Sequence, residues 1–234
     1  MRGDNPVMKS EIDGDGLSLR VVDGKPFFTI QGEGPYSGSP AVFLRLHGCP
    51  LRCFFCDTEF SNPHDPRLDL AVIMKMIFEI APSHCRLLVV TGGEPVRQNL
   101  GPLVAQMTAV GWIVQVETSG VMWQDCLLDT VIVCSPKTPM IQQKIHDHAH
   151  AFKYVIRAGE VSTEDGLPFT NTQVEGGKKE KLARPRRGAP VYLSPMDEGH
   201  GLYANVPNLR QVAASSKNFG YIAGLQVHKY LDLP

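Results

Sequence analysis

Short apolar runs recur along the chain, and their internal period changes from one segment to the next. Ala41–Leu46 (AVFLRL) is apolar apart from one arginine, which predicts a buried strand. Arg86–Val90, Trp112–Val116, Val131–Val133, Lys153–Ile156 and Val191–Leu193 are further strand-like runs. Leu68–Ile80 has a different period: Leu70, Ile73, Ile77 and Ile80 fall on one face of a helix. Gln98–Val110 and the region Asn208–Ser216 are the other predicted helices, and Tyr221–Val227 is the last predicted strand. Strands alternating with helices predict an α/β fold on a parallel sheet, open or closing toward a barrel. Residues 1–24 are polar and dotted with glycine, and are expected to form a loosely held extension of a single domain spanning 25–234. No internal repeat is visible.

The unusual residues sit immediately after the predicted strands. His47-Gly48-Cys49, Thr91-Gly92-Gly93-Glu94-Pro95, Glu117-Thr118-Ser119-Gly120, Ser135-Pro136-Lys137 and Ser194-Pro195-Met196-Asp197 each follow one. In a parallel sheet the carboxyl ends of the strands make one rim, and ligands bind there. Motifs spread over much of the chain are thereby expected to meet at a single mouth.

Composition narrows the classes. Hydrophobic content of 43% and charged content of 20% are those of a folded globule. A net charge of −1 gives no basic footprint for nucleic acid, so no nucleic-acid partner is expected. No apolar run approaches the roughly 18 residues of a membrane span. The first residues lack the apolar centre of a secretory signal, so a cytoplasmic, reducing setting is expected. The run Lys178–Arg187, part of an insertion near 171–189, reads as a solvated basic loop. His146, His148 and His150 alternate in what reads as a polar loop, without the spacing of a metal site.

Three of the six cysteines, Cys49, Cys53 and Cys56, crowd one loop as C-x3-C-x2-C. In a reducing compartment this spacing points to metal or redox chemistry before disulfides. A zinc site completed by His47 or Asp57, a Cys53–Cys56 redox pair, unused buried thiols and an iron–sulfur cluster are all compatible with it. Cys85, Cys126 and Cys134 fall in or beside strand and helix segments, as small core residues do.

C-x3-C-x2-C followed by GGEP resembles the radical S-adenosylmethionine enzymes. The wider set F-x-T-x-Q-G-E-G (Phe27–Gly34), R-x-x-G-C-x3-C-x2-C-D-T, T-G-G-E-P, E-T-S-G, S-P-K and Q-x-H-K-Y is similar to the 7-carboxy-7-deazaguanine synthase family from about Lys25 to Pro234. That resemblance implies an abbreviated, parallel-stranded partial (β/α) barrel with the cluster loop after its first strand. It implies a carbon–nitrogen lyase that converts 6-carboxy-5,6,7,8-tetrahydropterin to 7-carboxy-7-deazaguanine with loss of ammonia, on the path to queuosine. Its cofactors would be a [4Fe–4S] cluster on Cys49, Cys53 and Cys56, S-adenosylmethionine and Mg²⁺ at Thr58. Substrate would meet Ile30, Gln31, Gly32, Glu33, Arg45, Thr91, His228 and Pro234. S-adenosylmethionine would meet Phe55, Cys56, Asp57, Gly92, Gly93, Glu94, Ser135, Pro136, Lys137, Ser194, Pro195, Met196 and Asp197. The family often has glutamine where Ser194 stands. Glu117 and Thr118 share the rim without an assigned role, and no general acid or base stands out. An electron donor such as flavodoxin or ferredoxin and a homodimeric state complete the expectation. The rival readings are a glycyl-radical activating enzyme with a protein partner and a zinc-stabilised binding module.

Overall fold

The computed structural model describes residues 5–170, 172, 173, 175, 180–199 and 205–233. Its strands are β1 (Ser18–Arg20), β2 (Phe27–Ile30), β3 (Pro40–Leu46), β4 (Arg67–Asp69), β5 (Leu87–Gly92), β6 (Ile113–Thr118), β7 (Val131–Cys134), β8 (Ala151–Ile156), β9 (Val191–Pro195) and β10 (Ile222–Ala223). Its helices are α1 (Leu70–Ile80), α2 (Gly101–Ala109), α3 (Gln143–His148), α4 (Val206–Phe219) and α5 (Val227–Tyr230). Eight strands form one open sheet in the order β10-β9-β8-β7-β6-β5-β3-β2. All neighbours are parallel except the antiparallel edge pair β2–β3. The α/β expectation holds; the sheet stays open rather than closing into a barrel.

Strand register decides what each face carries. Arg45 pairs with Thr91, Val89 with Gln115, and Glu117 with Val133. Because side chains alternate with period two, these residues and Lys153 share one face. The opposite face presents Val42, Leu44, Leu46, Leu88, Val90, Val114, Val116, Ile132, Phe152, Tyr154 and Ile156 to the main core. Helices α1 and α2 close that core with Ile73, Ile77, Leu103, Val104 and Met107, all essentially inaccessible to water. One face therefore supplies most of the hydrophobic stabilisation, about 25 cal/mol per Å² of apolar surface removed from water. The other face is free to carry chemistry.

Several expectations change. The Tyr221–Val227 strand is reduced to two residues: Gly224 N–H bonds to Leu193 O, Gln226 turns the chain at φ 50°, and α5 begins at Val227. Helix α1 starts at Leu70 because Leu68 and Asp69 pair with β1 instead. Residues 5–24 are not loosely held: β1 pairs with β4, Leu19 and Val21 are fully buried, and Met8 N–H bonds to Cys49 O. The alternate histidines lie in and just after α3 rather than in a loop, and they diverge. His146 meets Asp147, His148 packs on Trp123, and His150 Nδ1 accepts from Ile132 N–H. In the basic run, Lys178 and Lys179 lie outside the described residues. Beyond them, Arg184 pairs with Asp165, Leu182 is buried, and Ala183 O accepts from Tyr154 Oη–H, so this stretch packs rather than waves in solvent.

Candidate active site

The cluster loop leaves β3 under tight backbone control. His47 N–H bonds to Arg20 O, Gly48 N–H to Phe60 O, and Glu94 N–H to Gly48 O. His47 itself makes a buried pair with Asp65 (Nδ1–Oδ2 3.0 Å) and is not part of the cavity wall that carries the cysteines. Asn5 straps the loop's far end, donating to Thr58 O and accepting from Phe60 N–H and Ser61 Oγ–H. Gly92 approaches the same loop so closely that a Cβ would stand 2.1 Å from Leu46 O, at a φ of +127° that side chains disfavour.

Two adjoining cavities open at the carboxyl ends of the strands. The first, about 210 Å³, is lined by Cys49, Cys53, Phe55, Cys56, Asp57, Thr58, Gly92, Gly93, Ser135, Lys137, Pro195, Met196 and Asp197, among others. The second, about 180 Å³, is lined by Phe27, Ile30, Gln31, Phe43, Arg45 and His228, among others. Glu33, Asp57, Thr58, Thr91, Glu117, Lys153 and Gln226 line both. All three clustered thiols thus face the first cavity, and Thr58 stands on the wall between the two.

Beneath the shared wall lies a buried charge group. Lys153 Nζ donates to Glu33 Oε2 (2.7 Å) and to Glu117 Oε2 (3.0 Å), with all three side chains under one-fifth exposed. Gln31 and Gln115 amide groups donate to the other Glu117 oxygen, at 3.0 and 3.1 Å. Burial by itself would raise the Glu33 carboxyl, but the Lys153 ammonium overrides it and holds the group down at about 2. Burial likewise disfavours the charged lysine, yet Glu117 and Glu33 keep it protonated well above the usual lysine range. Two carboxylates against one ammonium leave this floor with a net negative charge, which suits a ligand edge rich in N–H donors. Across the second cavity Arg45 stacks over Phe27 at 4.7 Å and has no carboxylate partner among the described residues. A guanidinium so placed suits a carboxylate ligand.

The C-terminal turn closes the second cavity. Val227 N–H bonds to Gly32 O, and Lys229 Nζ reaches Asp197 (2.8 Å) and Asp57 (3.5 Å), bridging the β9 end and the cluster loop. His228 lies against Gly32 so tightly that an added Cβ would be 1.8 Å from Nδ1. Burial pushes the His228 imidazole below its usual value, so it is neutral at pH 7. Gly32→Ala is expected to displace His228 and raise KM about tenfold or more while far-UV circular dichroism stays unchanged, a split that steady-state kinetics would show.

Most residues expected at the mouth are there, with exceptions. Glu94 lines neither cavity: it is fully buried, accepting from Thr118 Oγ1, Val96 N–H and both polar groups of Ser119, so its carboxylate ties β5 to β6 instead of facing a ligand. Ser194 is also off the cavity walls. Its buried Oγ lacks a hydrogen bond of normal geometry but lies beside Glu33, where it helps keep the carboxylate ionised. Pro136 faces a small neighbouring crevice with Phe54. Pro234 lies outside the described residues. Sequence reasoning missed Lys153 and Gln226. The signal for Lys153 was a lysine between Phe152 and Tyr154 in a strand buried on both faces, where an unpaired ammonium is costly. Gln226 carried no comparable signal, because its place depends on a left-handed turn.

An open, mostly parallel α/β sheet with thiols, a buried charge group and two joined cavities at its carboxyl rim defines a ligand-binding α/β domain equipped for enzyme chemistry. No family model matches the chain. Curated relatives do. The chain is 44% identical to the 7-carboxy-7-deazaguanine synthase of Rhodospirillum rubrum, over 100% of both chains. It is 31% identical to that of Rickettsia prowazekii, over 100% of this chain and 96% of the other. The crystal structure of QueE from Escherichia coli superposes with a TM-score of 0.64, covering 89% of this chain and 93% of that one at 20% identity, which shows the shared fold. The chain belongs to the 7-carboxy-7-deazaguanine synthase family.

Proposed function

We propose that this chain catalyses the conversion of 6-carboxy-5,6,7,8-tetrahydropterin to 7-carboxy-7-deazaguanine, with loss of ammonia, as a radical S-adenosylmethionine enzyme in queuosine formation. The observation that carries the reading is the polarity of the second cavity. Glu33 and Glu117 make an acidic floor, and Arg45 supplies a cation on the wall with no carboxylate partner among the described residues. A pterin's 2-amino and ring N–H edge fits the first, and the substrate carboxylate fits the second. Glu33, ionised throughout the physiological range, accepts both N–H groups at once.

The donor set fits the cofactors. Cys49, Cys53 and Cys56 line one cavity; burial pushes the Cys49 thiol up to about 12, its neighbours Glu94, Cys53 and Cys56 adding to the rise, and pushes the Cys56 thiol up as well, so a thiolate at either of these two positions persists only against a cation. Among the described residues no three His, Cys, Asp or Glu side chains are gathered round a single point as one zinc ion requires. Thiolates that each hold a different iron need no such convergence. Ser135 and Lys137, on the wall of the same cavity, would hold the polar parts of S-adenosylmethionine, with Pro195 and Met196 against its adenosyl portion. A [4Fe–4S] cluster held by these thiolates, with S-adenosylmethionine beside it, would supply the radical hydrogen-abstraction chemistry that the pterin conversion needs. The chain's own contribution is placement: Thr58 offers a hydroxyl to Mg²⁺ at the boundary of the cavities, and the C-terminal turn excludes water. An external electron donor such as flavodoxin or ferredoxin, a cytoplasmic setting and a homodimer belong to the same reading; no described helix is long and apolar enough to cross a membrane.

Anaerobic, reduced, iron- and sulfide-reconstituted protein given S-adenosylmethionine and the carboxytetrahydropterin is expected to form the deazaguanine, identified by mass. A competent cluster without product contradicts the proposal. Thr58→Ala is expected to raise the Mg²⁺ concentration needed for half-maximal turnover by about tenfold and to leave the visible spectrum of the cluster intact.

A further inference from the structure

Cys53 is covered from outside by a short piece of the segment between β8 and β9. Thr172 O accepts from Phe54 N–H (3.0 Å), and Gln173 Oε1 accepts from Arg52 N–H (2.8 Å). These two bonds grip the chain on either side of Cys53. The Gln173 amide then donates toward Cys53 Sγ (3.5 Å) and to Thr172 Oγ1 (2.8 Å), while Thr172 Oγ1, itself 3.5 Å from Cys53 Sγ, donates to Lys137 O (2.8 Å). Gln173 is thus aimed by three partners, and Thr172 links the same grip to Lys137 in the wall of the first cavity.

We propose that Gln173, oriented by Thr172, is a positioning residue that donates a hydrogen bond to the Cys53 sulfur and so raises the reduction potential of the cluster and slows its loss. The inference rests on the three-cysteine cluster of the proposed function. A reduced cluster carries one more negative charge than an oxidised one, so a donor to a ligand sulfur stabilises the reduced form more. Removing the donor lowers the potential. It also removes the bond from Arg52 N–H, leaving only the Thr172 carbonyl on Phe54 N–H to hold the segment over this corner. Partners outside the ligand shell typically matter at the level of 10–100-fold in metal retention.

The test compares wild type, Gln173→Leu, Thr172→Val and Glu180→Gln, the last an exposed side chain in the same segment. Each is reconstituted anaerobically and titrated for the midpoint potential by electron paramagnetic resonance, and iron loss to a chelator is timed. Gln173→Leu is expected to show a more negative potential and about tenfold faster iron loss. Thr172→Val, nearly isosteric, is expected to shift the same way by less, and Glu180→Gln not at all. Wild type and both Gln173→Leu and Thr172→Val sharing one potential and one rate of iron loss would overturn the assignment. If wild type itself takes up no cluster, the proposed function fails first, and this assignment with it.

Discussion

Lys153→Met is expected to cripple the protein twice over. It leaves Glu33 and Glu117 buried and facing each other without their shared ammonium. Breaking a buried ion pair from one side costs about 3–5 kcal/mol, a large share of the roughly 5–15 kcal/mol that holds a typical domain together. Urea unfolding of the unligated protein should show that loss as a lower midpoint. The variant's kcat/KM should fall about 100-fold even where it is folded, because the carboxylate that positions the substrate moves. Lys153→Arg keeps the charge and should recover much of the stability but less of the activity, since the longer fork cannot occupy the same point. The pH dependence follows from the signs. Glu33 is depressed from 4.5 to about 2, so its contribution to stability is complete above the ordinary carboxylate value and lost as pH falls toward 2. Lys153 is raised, so its contribution is complete below the ordinary lysine value of 10.5 and lost only at higher pH. Wild-type KM should be insensitive to this pair between those limits. In Lys153→Met, burial of Glu33 is no longer opposed by the ammonium, the carboxyl moves up, and KM should worsen as pH falls, because a protonated acid no longer accepts two N–H groups.

The six cysteines should divide cleanly into two sets. Cys49→Ala, Cys53→Ala and Cys56→Ala are each expected to abolish the brown colour of the reconstituted protein and turnover with it, a loss of at least about 1000-fold, since the radical chemistry belongs to the cofactor and the thiolates hold it. Cys126→Ala should leave both untouched, because its half-buried side chain lies away from the cavities. Cys85→Ala and Cys134→Ala remove buried sulfur from the core and should lower stability by about 1 kcal/mol or slightly more, with the visible spectrum unchanged. Absorption spectra and denaturation midpoints measured on the six variants separate these outcomes.

The rim was legible because short apolar strand runs and the residues after them advertise it. Arg45 stood out in an apolar strand, and the register of β3 against β5 puts it beside Thr91 as a parallel sheet requires. The cysteine loop and the two glycines at the end of β5, Gly92 and Gly93, were visible as composition. What could not be read was how polar groups are shared out. Glu94 looked available for a ligand, but its four hydrogen bonds come from Thr118, Ser119 and Val96, three of them from residues 24 or 25 positions away, and only the fold brings them together. Lys153 carried a signal in a buried strand, yet its partners are 120 and 36 positions distant in sequence. The N-terminal residues looked loose because polar residues and glycines surround the short alternating run Leu17–Val22, and the burial of Leu19 and Val21 depends on β4 and the cluster loop. Long-range pairing of this kind leaves no local pattern.

The account depends on three thiolates holding iron and sulfide, and metal analysis of the protein isolated without oxygen tests that most directly. The predicted result is a brown protein with broad visible absorption, containing iron and sulfide in the equal amounts of a [4Fe–4S] cluster, and losing both when Cys53 is replaced by alanine. A colourless preparation loaded with zinc would contradict it.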